Sequence, residues 1–209
     1  DFKAVDKMNE WLLLAGICFA GAMVPGANTA LVLRRTLQGD RRGAFITIAG
    51  LSCGLTVHVI GSMVGITALI SSTPVLYDAI RWLGSAYLIY MGATFLLTRQ
   101  KPDNHPQAES TALSLSNPFV SGLMVSILNP KLLLMFIALF SQIIDAAHGW
   151  QMKLLYGATP LTAEALWLSL LIFGLSQSRV QRNLRRIQHR IERIIGGGLL
   201  LLGIKVGLG

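Results

Sequence analysis

The sequence predicts an all-α integral membrane protein of six transmembrane helices, arranged as two inverted three-helix repeats, with the first helix of each half broken at a proline. Three observations lead there. Hydrophobic residues make up 53% of the 209 and charged ones only 13%, a balance too apolar for an ordinary soluble domain. Runs long enough to cross roughly 30 Å of hydrocarbon at about 1.5 Å per residue can be placed at six positions. Two of those runs, at matching places in the two halves, are interrupted by proline with asparagine close by.

In chain order the spans are Trp11 to Leu33, Gly43 to Ser71, Val75 to Leu97, Phe119 to Ile144, Trp150 to Leu175 and Ile191 to Leu208. The first exceeds the apolar core of a cleavable signal, and Asp1, Asp6 and Glu10 accompany Lys3 and Lys7 before it, so it is expected to be a retained helix. Basic residues gather in alternate connections. Arg34, Arg35, Arg41 and Arg42 fall in the first, Arg99 and Lys101 in the third, and six arginines from Arg179 to Arg193 in the fifth. The second connection, "SSTP", and the fourth, from Asp145 to Gly149, carry neither Lys nor Arg. This asymmetry puts connections one, three and five in the cytoplasm and both termini on the outer face of the membrane. The net charge of +8 is thereby a record of topology, and no nucleic-acid partner is expected. In the fifth connection Val180, Leu184, Ile187, Ile191 and Ile194 recur at helical spacing opposite the arginines, as in a short helix lying on anionic lipid.

Cys18 and Cys53 both lie within spans and read as buried small hydrophobes. No Cys, His and Asp cluster has metal-ligand spacing, and no GxSxG, Walker or GxGxxG loop occurs. No catalytic residue, metal or cofactor is expected, and the chain is not expected to be an enzyme.

Residues 1–209 form one transmembrane domain, with repeat one at about 8–97, a polar linker at 98–116 rich in Pro, Asn and Ser, and repeat two at about 117–209. Three spans per half force the second half into the opposite orientation. Helices interrupted at corresponding points of inverted halves mark binding sites near the membrane midplane. Lipid cannot satisfy the backbone groups that proline frees, so such breaks must face protein or a watery cavity. The candidate binding residues are Pro25, Gly26, Asn28 and Thr29 at the first break, in "MVPGANTA", and Asn129, Pro130 and Lys131 at the second, in "ILNPKLLL". Simple kinks with a snorkelling Lys131 are the alternative.

Glu164 and His58 sit near the centres of the fifth and second spans, which correspond in the inverted scheme. Both are candidates for proton coupling, the alternative being an interhelical hydrogen bond or a Glu164–Lys131 ion pair. Asp78 and Arg81, at i and i+3, are expected to pair near the outer end of the third span. Glycines and alanines in "GAFITIAGLSCG" and "GSMVGITA" let neighbouring helices approach closely. Those of the short last span suit packing against a partner helix or another subunit.

These residues resemble the LysE/RhtB family of bacterial amino-acid exporters. The family's first span carries a Pro-Gly-Pro-Asn signature, and "VPGANTALVLRRTLQGDRRGA" is similar to that element. "GLTVHVIGSMVGITALISSTPVLYDAIRWLGSAYLIYMGATFLL" resembles the second and third spans, and "SILNPKLLLMFIALFSQIID" the Asn-Pro-Lys element that opens the second half. Two positions depart from the pattern: Ala27 replaces the second proline, and Leu55 stands where many members have an acidic residue. The resemblance implies an inner-membrane secondary carrier, able to dimerise, that exports neutral amino acids or close derivatives against protons. A passive channel for small solutes, an intramembrane enzyme using Glu164 and His58, and a non-transporting membrane scaffold are the rival readings.

Overall fold

The computed structural model describes residues 2–24, 26–97, 116–144, 149–174, 193–194 and 196–204, and all regular structure among them is helical. Helices α1 (Phe2–Met23) and α2 (Ala27–Leu37) divide the first expected span, while α3 (Arg41–Ser72) and α4 (Pro74–Leu97) supply the second and third. Helices α5 (Pro118–Ile127) and α6 (Pro130–Ile143) divide the fourth, and α7 (Trp150–Gly174) is the fifth. Residues 196–204 form a helical stretch inside the sixth. Pro25, most of the 98–116 linker, residues 145–148 of the fourth connection and the basic segment at 179–192 lie outside the described residues.

Both expected interruptions are real bends. The first pair, α1 and α2, turns by 52° and the second, α5 and α6, by 56°. Among the described residues, α3 and α7 are each long and apolar enough to cross a membrane, and each bent pair qualifies when its two pieces count as one span. That gives two to four candidate spans. The outer faces of these helices stay apolar: Val57, Ile60 and Val64 on α3, and Leu166, Leu170 and Phe173 on α7, are all exposed. So much exposed hydrocarbon would be costly in water and suits lipid.

Helix starts and stops follow from local chemistry. At the end of α2 the Asp40 amide reaches the Arg35 carbonyl and the Gly39 amide the Thr36 carbonyl, a Schellman closure that needs the left-handed backbone of Gly39 (φ 82°). Asp40 then caps α3, accepting from the Gly43 amide at 2.8 Å, while Arg35 holds the same carboxylate at 3.5 Å. The arginine-rich first connection is therefore a tight turn. A single residue, Thr73, separates α3 from α4, with Pro74 opening the new helix.

Packing runs across the two halves. The most extensive contact is between α3 and α5, followed by α4 with α6 and α1 with α7. Glycine makes the first possible. A Cβ on Gly50 would collide with the Phe119 carbonyl, and one on Gly122 with the Thr47 carbonyl, so α3 and α5 meet backbone to backbone. Near the chain's end, Ser85 donates to the Gly203 carbonyl at 2.6 Å, and a Cβ on Gly92 would fall 2.7 Å from the Gly196 carbonyl. Among the described residues two apolar clusters fill the interior, one holding Leu14, Leu88, Phe136 and Phe140, the other Leu31, Val32, Leu51 and Leu168.

Two expectations are corrected. Cys18 is buried as expected, but Cys53 is exposed, because its place on α3 faces outward while the next two residues, Gly54 and Leu55, face inward. Asp78 and Arg81 do not form the expected ion pair; Arg81 instead offers its carbonyl to Gln142 Nε2 at 3.0 Å.

The glycine contacts give a paired expectation. Gly50→Ala should destabilise the protein in detergent by about 1–3 kcal/mol through overpacking. Gly61→Ala, on the same helix with nothing within 4 Å, should be neutral or slightly stabilising. Equal unfolding midpoints for the two variants would refute backbone contact between α3 and α5.

Candidate functional site

At the second break, α5 closes with the Leu128 amide on the Met124 carbonyl at 3.0 Å and the Asn129 amide on the Ser126 carbonyl at 3.2 Å. Asn129 then caps α6, its side chain accepting from the Lys131 amide at 3.1 Å, with Pro130 in the first helical position. Asn before Pro is a restart signal: the amide oxygen takes up an orphan donor, and proline's fixed φ suits a first turn where no N–H is needed. Asn117 and Pro118 use the same device to start α5, with Asn117 accepting from the Phe119 amide at 3.0 Å.

The first break has the same grammar with different words. Gly26 is the extended residue before α2 (φ −150°, ψ −169°), and its carbonyl accepts from the Ala30 amide at 2.9 Å. Gly26 thus matches Asn129, Ala27 matches Pro130, and Asn28 matches Lys131. Loss of the second signature proline to Ala27 has not let the helix run on. The difference is in the cap: no side chain caps α2. Its first-turn amides stand with the positive end of the helix dipole at the break.

Both breaks open on one cavity of about 120 Å³. Gly26, Ala27, Asn28 and Thr29 line it from the first break, Asn129 and Lys131 from the second, and Glu164 from α7. Its apolar wall comes from several helices and includes Ile17, Leu55, Met91, Met135 and Phe136. Asn28 is 8% exposed and donates from Nδ2 to Glu164 Oε1 at 2.6 Å, tying α2 to α7. The Asn28 amide oxygen Oδ1 and the second Glu164 oxygen, Oε2, are buried without a hydrogen-bond partner. Both residues line the cavity, and an unmatched buried polar atom is costly.

Of the residues expected from sequence, Gly26, Asn28, Thr29, Asn129, Lys131 and Glu164 therefore share one space. Pro130 acts through the restart of α6 and does not line the cavity, and Pro25 lies outside the described residues. His58 is not in the wall either; its Nε2 lies 2.9 Å from the Ser126 carbonyl. Sequence reasoning missed Pro160, which sits inside α7 and lines the cavity one turn before Glu164. The signal was present, since Pro160 is a third intramembrane proline near a polar residue. Nothing in the sequence marked Met91 and Met135, which are common in any apolar run.

A broken helix from each half, with both breaks on one cavity and a buried carboxylate in its wall, is the organisation of a membrane transport protein. Comparison with known proteins narrows the class. The sequence profile of the LysE type translocators matches residues 19–209, and the chain belongs to that family. It is 31% identical over 206 residues to the uncharacterized membrane protein YrhP of Bacillus subtilis, covering 94% of this chain and 98% of the relative. Leucine efflux proteins of Salmonella choleraesuis and Salmonella typhimurium are each 30% identical over 175 residues, 83% of this chain and 82% of theirs. No solved structure matches the chain.

The Asn28–Glu164 contact can be tested without reference to transport. Asn28→Ala strips a donor from a buried carboxyl group and should cost about 1–3 kcal/mol. Glu164→Leu removes the acceptor from the other side, so the double variant should lose less than the sum of the single losses. Additive losses in detergent unfolding experiments would show that the two side chains are not coupled.

Proposed function

We propose that the protein is a secondary carrier exporting neutral amino acids, or close derivatives, from the cytoplasm in exchange for protons. Its frame is taken to be six transmembrane helices in two inverted repeats, set in a bacterial inner membrane with both termini periplasmic. The observation that carries the proposal is the meeting of both helix breaks on one cavity that holds acceptors, helix-start amides and an apolar wall. The two leucine efflux relatives support the substrate class.

Each part of a zwitterion has a complementary surface. The substrate ammonium is assigned to Glu164 Oε2 and Asn28 Oδ1, the acceptors left unmatched by the protein. Its carboxylate is assigned to the uncapped first turn of α2, with the Lys131 cation across the cavity. An uncharged side chain would lie against Leu55, Met91, Met135 and Phe136, where two unbranched methionines adapt to differing shapes. A volume of about 120 Å³ admits on the order of ten water-sized atoms, the scale of a small amino acid. Glu164 is the proposed proton carrier: bound substrate and bound proton compete for the same carboxyl group, which makes their movements alternate. Rocking one half against the other would open the cavity to each side in turn.

Proteoliposomes loaded with a labelled amino-acid panel should show saturable counterflow of neutral substrates, faster under a pH gradient. Asn28→Ala should lower Vmax/KM by about 10–100-fold through the lost polar contact. Glu164→Gln, which fixes the neutral form that competes with the substrate ammonium, should raise KM for exchange and lose the response to the gradient. Transport of no amino acid would sink the export function, and unsaturable flux would indicate a pore.

A further inference from the structure

Resting on the export function proposed above, we propose that His58 is a positioning residue: it anchors the second helix break to α3 and thereby sets where Asn129 and Lys131 stand in the cavity.

In an unbroken helix the Ser126 carbonyl would accept from the amide of residue 130. Pro130 has no such amide, so the break creates an orphan acceptor at this carbonyl. His58, 7% exposed on α3, lies with Nε2 at 2.9 Å from it. A carbonyl oxygen only accepts, so Nε2 carries the proton and the ring donates. The second lone pair of the same oxygen takes the Asn129 amide at 3.2 Å, the last amide before Pro130. One carbonyl thus joins α3 to the residue that restarts the helix. From there the Asn129 side chain accepts from the Lys131 amide, and both residues line the cavity. The route from the ring to the site is three hydrogen bonds long.

The surroundings show which side of the break is fixed. Gly54, one turn before His58, would place a Cβ 2.5 Å from Ser126 Cβ, and Gly50 and Gly122 bring the same helix pair into backbone contact farther along. Helix α5 is therefore clamped to α3 up to Ser126, whereas α6 packs on α4 and, to a lesser extent, on α3. His58 stands at the last clamped residue before the break. A hydrogen bond there fixes where α6 begins.

A donor without a titratable ring can replace this function, and that separates positioning from proton carriage. Gln at position 58 carries an N–H donor at a reach similar to His Nε2, whereas Leu carries none. We expect His58→Leu to lower Vmax by about tenfold while changing KM less, and to raise hydrogen exchange over residues 128–131 severalfold relative to the rest of α5. His58→Gln should restore Vmax to within about threefold and return exchange to the parental level. It should also keep whatever response to a pH gradient the parent shows. The proposal is overturned if the Gln variant transports but loses that response, which would make His58 a proton carrier. It is equally overturned if the Leu variant leaves both transport and exchange unchanged. Should the parent transport no amino acid, the export function fails, and hydrogen exchange in the three proteins still decides the anchoring role.

Discussion

Everything in this structure depends on one constraint: a helix interrupted inside a bilayer frees backbone groups that lipid cannot satisfy. The chain meets it in two different ways. At the second break an asparagine cap, a proline start and a histidine ring from another helix occupy the freed positions. At the first break no side chain caps α2, and its first turn borders the cavity instead. Two interruptions that look alike in the sequence are thus finished differently, one by side chains and one with its helix-start amides left beside the cavity.

The close packing of α3 against α5 follows from the same constraint. A break can be furnished from outside only if another helix comes near enough to reach it. Gly50, Gly54 and Gly122 remove the side chains that would hold α3 and α5 apart, and this lets a histidine span the remaining gap. Small residues on these helices are therefore more than packing for its own sake. At the first break the contact of α2 with α7 brings Asn28 to Glu164.

Much of this was legible in the sequence because proline and asparagine act locally. Pro130 after Asn129 specifies a helix restart wherever it occurs, and the bend followed. The apolar runs foretold the helices, and the depth of Glu164 foretold a partner. What could not be read was identity of partners across the fold. Glu164 meets Asn28 rather than leaving the choice with Lys131, and His58 meets a backbone carbonyl, because helix rotation and crossing decide these contacts and a linear pattern does not encode them. Helical phase also decided Cys53, which points outward although its neighbours Gly54 and Leu55 point in. Pro160 was legible in principle, as a proline one turn before an intramembrane acid, and was passed over because α7 runs through it without a break.

Ala27 occupies the first position of α2, where Pro130 stands in α6 and where the family signature has its second proline. An alanine in place of that proline changes the inventory of the site. Proline contributes a rigid start and no hydrogen; alanine contributes a looser start and a peptide N–H at the very tip of the helix, beside Gly26 and Asn28 in the cavity wall. This chain therefore presents one more backbone donor at the break than the signature would. In exchange it gives up part of the stiffness with which the ring would hold the turn open.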